Sequence, residues 1–156
     1  MAGVNIRDAR VADLAGLATI EAQTFLSERM SPRSFRRLIG RPTASLRVAA
    51  GPGGLAGYHL VLFRAGSHVA RLYSIAVARG SRGAGLGARL LADAERVALR
   101  QSRQTLRLEV RRNNRAAIAL YERHGYLPFG VYPAYYADGT DAVRYEKRLS
   151  RARGGG

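Results

Sequence analysis

Apolar residues recur along this chain in two periods, one of about two residues and one of about 3.6, and the switches between them mark its elements. Val4 to Ala9 alternates as a short strand does. Leu14, Leu17, Ala18 and Ile20 then place their apolar groups largely on one face of a helix from Leu14 to about Phe25, with Asp13 where its cap belongs. Ser31-Pro32 reads as a second helix start, a serine cap with proline at the first helical position. Phe35, Leu38 and Ile39 form its apolar side, and it stops near Gly40, ahead of Pro42. Leu46 to Ala50 and Leu55 to Arg64 read as the strands of a hairpin closed by Gly51-Pro52-Gly53-Gly54. Ala70 to Val77 is a further strand, after a turn at Gly66-Ser67.

The longest helical pattern runs from about Gly85 to Gln101, with Leu86, Leu90, Leu91, Ala94, Val97 and Ala98 at helical spacing. Thr105 to Val110 is a strongly β-forming strand. Asn113 or Asn114 caps a last helix through His124, which Gly125 stops. Tyr126 to Tyr132 and Ala142 to Leu149 close the chain as two strands joined by the loop Tyr135–Asp141. The order β-α-α-β-β-β-α-β-α-β-β predicts an α/β fold in one domain over residues 1–149. A mixed central sheet of about seven strands is flanked by about four helices, and residues 150–156 form a disordered tail.

Composition narrows the chemistry. With no cysteine, disulfides, thiolate metal sites and thiol nucleophiles are excluded. His59, His68 and His124 are scattered, in no metal-ligand or triad pattern, so no metal is expected. Met1 to Arg10 has no apolar leader, and nowhere do about 18 apolar residues run together, which predicts a soluble, cytoplasmic protein without a membrane partner. The net charge of +15 suits a polyanion such as RNA, a ribosome surface or an acidic partner. Lys147 is the sole lysine, however, so a coding bias toward arginine gives the same pattern, and the arginines are spread along the chain rather than gathered in one arm. A monomer and a homodimer are both compatible with this composition.

The most specific local feature is the glycine-rich turn Arg82-Gly83-Ala84-Gly85-Leu86-Gly87, followed by Ala88, ahead of the long helix. Free N–H groups at a helix start, with the helix dipole, bind phosphate oxygens, and glycine allows close approach and positive φ. A P-loop requires Gly-Lys-Ser/Thr at its end, whereas Gly87 is followed by Ala88 and Arg89. Gly83, Gly85 and Ala88 do satisfy the dinucleotide fingerprint G-x-G-x-x-A, with Glu109 on the next strand. Against that reading, Ala78 to Arg82 separate the strand from the first glycine, and the turn falls mid-chain after three successive strands.

The stretch Leu72 to Tyr121 resembles the GNAT superfamily of N-acetyltransferases. Arg82-x-x-Gly85-x-Gly87 meets its signature Gln/Arg-x-x-Gly-x-Gly/Ala, and Ile75-Ala76-Val77 ends the preceding strand as that family requires. The run Leu108-Glu109-Val110-Arg111, then Asn114, Ala116 to Tyr121 and Gly125-Tyr126, is similar to the ribosomal-protein-alanine and other Nα-acetyltransferases. The loop from Tyr135 to Ala142 is similar to their peptide-binding hairpin. Two departures concern the acceptor. Ala137 stands where the ribosomal-protein type has proline, in a shorter loop, and Phe25 to Pro32 aligns with neither type.

The resemblance implies an acetyl-CoA-dependent N-acetyltransferase acting directly on a primary amine, most naturally a protein N-terminus; a lysine or a small molecule is the alternative on the same scaffold. It implies cofactor contacts at Ile75, Ala76, Val77, Arg82, Gly83, Ala84, Gly85, Leu86, Gly87, Ala88, Asn114, Ala117 and Tyr121. Val77 N–H would face the thioester oxygen, where an oriented donor lowers a barrier by roughly 3 kcal/mol. Glu109 would be the general base, although alternation also allows it to pair with Arg107, Arg111 or another arginine. Tyr121 would protonate the leaving sulfur, and Tyr135 and Tyr136 would line the acceptor groove.

Overall fold

Seven strands form one mixed sheet in the order β1-β2-β3-β4-β5-β7-β6. They are β1 (Asn5–Asp8), β2 (Ala44–Gly51), β3 (Gly54–Phe63), β4 (Val69–Val77), β5 (Thr105–Arg111), β6 (Leu127–Tyr132) and β7 (Ala142–Arg148). Four α-helices accompany them: α1 (Leu14–Thr24), α2 (Pro32–Leu38), α3 (Leu86–Arg100) and α4 (Arg115–Arg123). The computed structural model describes residues 3–25 and 28–150. Of the expected tail only Ser150 falls among them. The α/β class, the element order and the seven-stranded mixed sheet are as the pattern predicts.

Side-chain alternation assigns the helices to faces. Leu46, Val48, Tyr58, Leu60 and Ala76 pack with Leu17 and Ile20 of α1 and Phe35 of α2. Leu72, Leu106, Leu108 and Val110 pack with Leu91, Ala94 and Val97 of α3 and Tyr121 of α4. Arg107, Glu109 and Arg111 alternate with the second set and therefore lie on the α1–α2 face.

Every neighbouring pair of strands is antiparallel except β4–β5, and that parallel pairing covers only Val69–Arg71 against Thr105–Arg107. Beyond Arg71 the two strands part. On its other side β4 stays paired with β3, after a register shift that leaves Tyr73 as the extra residue. Ala78 N–H bonds Ala56 O at 2.8 Å, so alternation turns the main-chain groups of Ser74 and Ala76 toward β3. Those of Ile75 and Val77 face the opening between β4 and β5.

The helix caps differ in part from expectation. Ser31 accepts the Ser34 N–H as predicted. Asp13 does not cap α1, because a 3-10 turn over Val11–Asp13 comes first. Its carboxylate turns back to the Arg10 N–H at 2.7 Å and to the Arg7 guanidinium at 2.8 and 3.0 Å. The bidentate pair with a guanidinium adds a full opposite charge that the α1 N–H groups do not offer.

A buried cluster pins α3 to the sheet. Asp93 accepts from Arg47 Nε at 2.7 Å, and its Oδ2 lies 2.7 Å from Nε2 of the fully buried His59. The carboxylate makes Nε2–H the donating tautomer. α3 also closes on β3 at Gly57, where a Cβ would stand 2.8 Å from Ala76 O and 2.9 Å from Leu90 Cδ1. Burial opposes the Asp93 charge, but the hydrogen bonds from His59 and Arg47 outweigh it and hold the carboxyl below the usual range. Burial pushes the His59 imidazole down, with Asp93 pulling the other way.

Both shifts are depressions, so the unfolded chain binds a proton more readily at each group, and stability falls with acid. The His59 contribution begins below its unfolded value of about 6.5, and that of Asp93 below about 3.9. The melting temperature is expected to fall between pH 7 and pH 5, and His59→Gln, which keeps a donor beside Asp93, should flatten that segment. Differential scanning calorimetry across this range checks it; an unchanged slope in His59→Gln would remove His59 as the cause.

Candidate active site

The opening between β4 and β5 gathers most of the residues singled out by sequence. At its β4 wall are the unpaired main-chain groups of Ile75 and Val77. Val77 O accepts from Arg82 Nε at 3.2 Å, which draws the glycine turn to the end of the strand. Gly83 and Gly85 have φ of 85° and 77°, and a Cβ at either would meet nothing within 4 Å. The turn is thus left-handed where glycine is required, and open on its outer side. Gly85 is the N-cap of α3 and supplies no side-chain acceptor, so the first N–H groups of the helix point outward uncapped. Such a start accommodates an anion. A pyrophosphate with an amide-bearing arm fits this wall: bare N–H groups at one end, free strand-edge groups along the other.

α4 forms the far wall. Asn114, Ala117 and Tyr121 recur at helical spacing on one side of it. Between the two cap candidates the structure selects Asn114, whose Oδ1 accepts Ala117 N–H at 3.2 Å. The start of α3 lies beside α4, where a Cβ on Gly87 would make ordinary contact with Leu120 Cδ2 at 3.5 Å. Tyr121 is buried, its ring edge-on to Tyr126 with centroids 5.8 Å apart. Its hydroxyl makes no hydrogen bond among the described residues. Burial, then the neighbouring Tyr136, pushes it well above the ordinary tyrosine range, so it stays protonated at neutral pH.

On the α1–α2 face, Glu109 has a largely buried side chain and pairs with Arg71 of β4. It pairs with neither strand neighbour: Arg107 Nε bonds Glu146 at 2.8 Å, and Arg111 is held by Glu28 and Asp138. Arg71 Nη2 also donates to the Tyr135 hydroxyl at 3.1 Å. Tyr135 stacks on Tyr132 and meets Tyr136 edge-on, with centroids 5.4 and 5.0 Å apart. Arg111 lies 4.1 Å over the Tyr136 ring. Burial, then Tyr135, raises Tyr136 to about 12 despite Arg111.

Glu28 completes the enclosure. It follows Leu26 and Ser27, which lie outside the described residues together with that part of the Phe25–Pro32 region. Its carboxylate accepts Ala137 N–H at 2.6 Å and Arg111 Nη2 at 3.1 Å, tying the α1–α2 connection to the loop Tyr135–Asp141. Its φ of 62° is uncommon for a non-glycine residue, a conformation this double anchorage holds in place. Glu28, Arg71 and Asp138 are not singled out by the sequence, and Arg111 is singled out only as a partner for Glu109, which it does not become. Glu28 carries one signal, as the last acidic residue before Asp93 in an arginine-rich stretch.

Residues 13–126 match the sequence profile of the acetyltransferase (GNAT) family. A Bacillus subtilis (strain 168) protein provisionally named a ribosomal protein bS18-alanine N-acetyltransferase is 32% identical over 139 residues, covering 88% of this chain and 91% of that protein. The N-terminal acetyltransferase A complex catalytic subunit ard1 of Schizosaccharomyces pombe is 30% identical over 155 residues, covering 94% and 86%. The crystal structure of the ribosomal-protein-S18-alanine N-acetyltransferase from Escherichia coli superposes with a TM-score of 0.83 at 27% identity, covering 97% of each chain. No helix among the described residues is long and apolar enough to cross a membrane.

The tie through Glu28 has a local signature. Glu28→Ala should speed hydrogen exchange at the Ala137 amide about tenfold or more, while exchange in α3 and β5 is unchanged. Mass-resolved exchange checks it, and equal protection at Ala137 would show that the loop is held by other contacts.

Proposed function

The chain belongs to the acetyltransferase (GNAT) family and is an acetyl-CoA-dependent N-acetyltransferase, and we propose that its acceptor is the α-amine of a protein N-terminus. The observation that carries this reading is the enclosure beside Glu109. Tyr135 and Tyr136 form one side, and Glu28 brings the α1–α2 connection against the same loop. A chain end fits between two such loops, with its amine toward β5. The names of the relatives in Bacillus subtilis and Schizosaccharomyces pombe, one for a ribosomal-protein alanine and one for N-terminal acetylation, support the same acceptor. This reading also places the protein in the cytoplasm, where new N-termini arise.

In this proposal the N–H groups of Gly83 to Ala88, with Arg82 alongside, hold the pyrophosphate. Ile75, Ala76 and Val77 run along the pantetheine arm, with Asn114 and Ala117 opposite. When bound, acetyl-CoA supplies the acetyl group as a thioester whose carbonyl carbon the amine attacks. Glu109 takes the proton the amine must lose, directly or through water. An α-amine with an ordinary pKa of about 8 asks less of such a base than a lysine at about 10.4. Val77 N–H donates to the carbonyl oxygen as negative charge develops on it. Tyr121 then gives its proton to the departing sulfur. The burial that keeps the phenol protonated would also raise the proton affinity of a thiolate formed beside it.

Glu109→Gln and Tyr121→Phe are each expected to keep thermal stabilisation by acetyl-CoA while losing on the order of a hundredfold or more in turnover. Native turnover in both would remove the two roles. For the acceptor, mass spectrometry after incubation with peptides of varied first residue should find the acetyl group on the α-amine. Modification confined to lysine side chains or to free small amines would overturn the N-terminal reading.

A further inference from the structure

Arg71 occupies a position that the reading above leaves without a role. It is the last residue of β4 in register with β5, opposite Arg107, and so stands at the vertex where the strands part. Its side chain reaches past that partner to Glu109, and the same nitrogen, Nη2, donates to the Tyr135 hydroxyl. Its guanidinium carbon lies 5.3 Å from the Tyr73 ring centroid, which fixes its path along the wall. An ion pair between two exposed side chains contributes little. Here the carboxylate end is only 8% exposed, whereas the arginine end is 42% exposed and reaches the Tyr135 hydroxyl. Glu109 has no other cation within ion-pair distance among the described residues, since Arg107 and Arg111 are engaged elsewhere.

We propose that Arg71 is a positioning residue for the transfer, its Nη2 holding the Glu109 carboxylate and the Tyr135 hydroxyl in one arrangement at the vertex of the opening. The base and the acceptor-binding loop are then set by a single side chain. This rests on the reading of Glu109 as base and Tyr135 as part of the acceptor groove. Two consequences separate it from a structural salt bridge. Losing Arg71 affects both the handling of the acceptor and the chemical step, because its two partners belong to different tasks. Because one nitrogen serves both partners, a lysine ammonium with several donors can stand in for it.

The test uses steady-state kinetics with acetyl-CoA and a short alanine-initiated peptide. Arg71→Met is expected to raise the peptide KM and lower kcat, about tenfold each, with acetyl-CoA stabilisation retained and a lowered melting temperature, since the largely buried Glu109 carboxylate loses its cation. Arg71→Lys should recover both to within about threefold. In a Glu109→Gln background, Arg71→Met should still raise the peptide KM but cost nothing further in kcat, since its route to the chemistry is already gone. Native kinetics in Arg71→Met, or no recovery in a stably folded Arg71→Lys, would overturn the proposal. So would a full additional kcat loss in the Glu109→Gln background, which leaves the base reading standing. Native turnover of Glu109→Gln alone overturns both, so the two failures are told apart.

Discussion

The parting of β4 from β5 is the constraint on which the rest of this molecule turns. A parallel pair elsewhere in a sheet would run its full length, yet here only Val69–Arg71 are matched before the strands diverge. Each main-chain group stranded in the opening has lost a partner, at a cost on the order of 1–3 kcal/mol if nothing replaces it. Ile75 and Val77 therefore present hydrogen-bonding groups that only water or a ligand can satisfy, apart from the Val77 carbonyl taken by Arg82. An amide-bearing arm supplies complementary groups along that edge. The vertex also creates the Arg71–Glu109 contact, because a side chain two residues short of its target along a parallel neighbour reaches it where the strands stop running side by side.

The remaining architecture keeps the opening in place. α3 must present its uncapped start at the end of β4. It is held there by Gly57, which admits the helix close to the sheet, and by the buried Arg47–Asp93–His59 cluster farther along. A buried charge group of this kind stabilises little beyond what an apolar replacement would, but losing one member is costly, so it specifies a position more than it adds stability. On the opposite face Glu28 does the equivalent for the loop Tyr135–Asp141. It joins two connections that share no strand pairing, through one backbone N–H and one guanidinium.

Much of this was legible in the sequence, and the divide between what was and was not is physical. Alternation of Leu106, Leu108 and Val110 assigns Glu109 to its face, because period-two burial is local. The caps at Ser31 and Asn114 follow from short-range chemistry in the same way. Asp13 misleads because a guanidinium outside the turn wins its carboxylate. For Glu109 the alternation leaves the choice of arginine open: its nearest in sequence, Arg107 and Arg111, turn to Glu146 and to Glu28 with Asp138. Its actual partner comes from a parallel neighbour, whose register no local pattern encodes. Where β4 leaves β5 is likewise a relation between distant segments, so Arg71 is invisible until the strands are aligned.

The positive charge takes on a different meaning once the ion pairs are placed. A bias from lysine to arginine changes the kind of cation, not the balance of 26 basic to 11 acidic residues. All of the acidic residues are engaged within the protein. Nine sit in ion pairs, and Glu21 and Glu122 accept from the Tyr58 and Tyr145 hydroxyls. The surplus of arginine is therefore left to act outward, over a screening length of about 8 Å at physiological salt. Such a field draws a polyphosphate toward the molecule and opposes a protonated amine. An acetyl donor carrying phosphates is favoured on approach, while an ammonium must shed its proton before it gains by entering. An amine with a pKa of about 8 meets that condition far more readily near neutral pH than one of about 10.4. The bulk charge thus favours the α-amine proposed above over a lysine side chain.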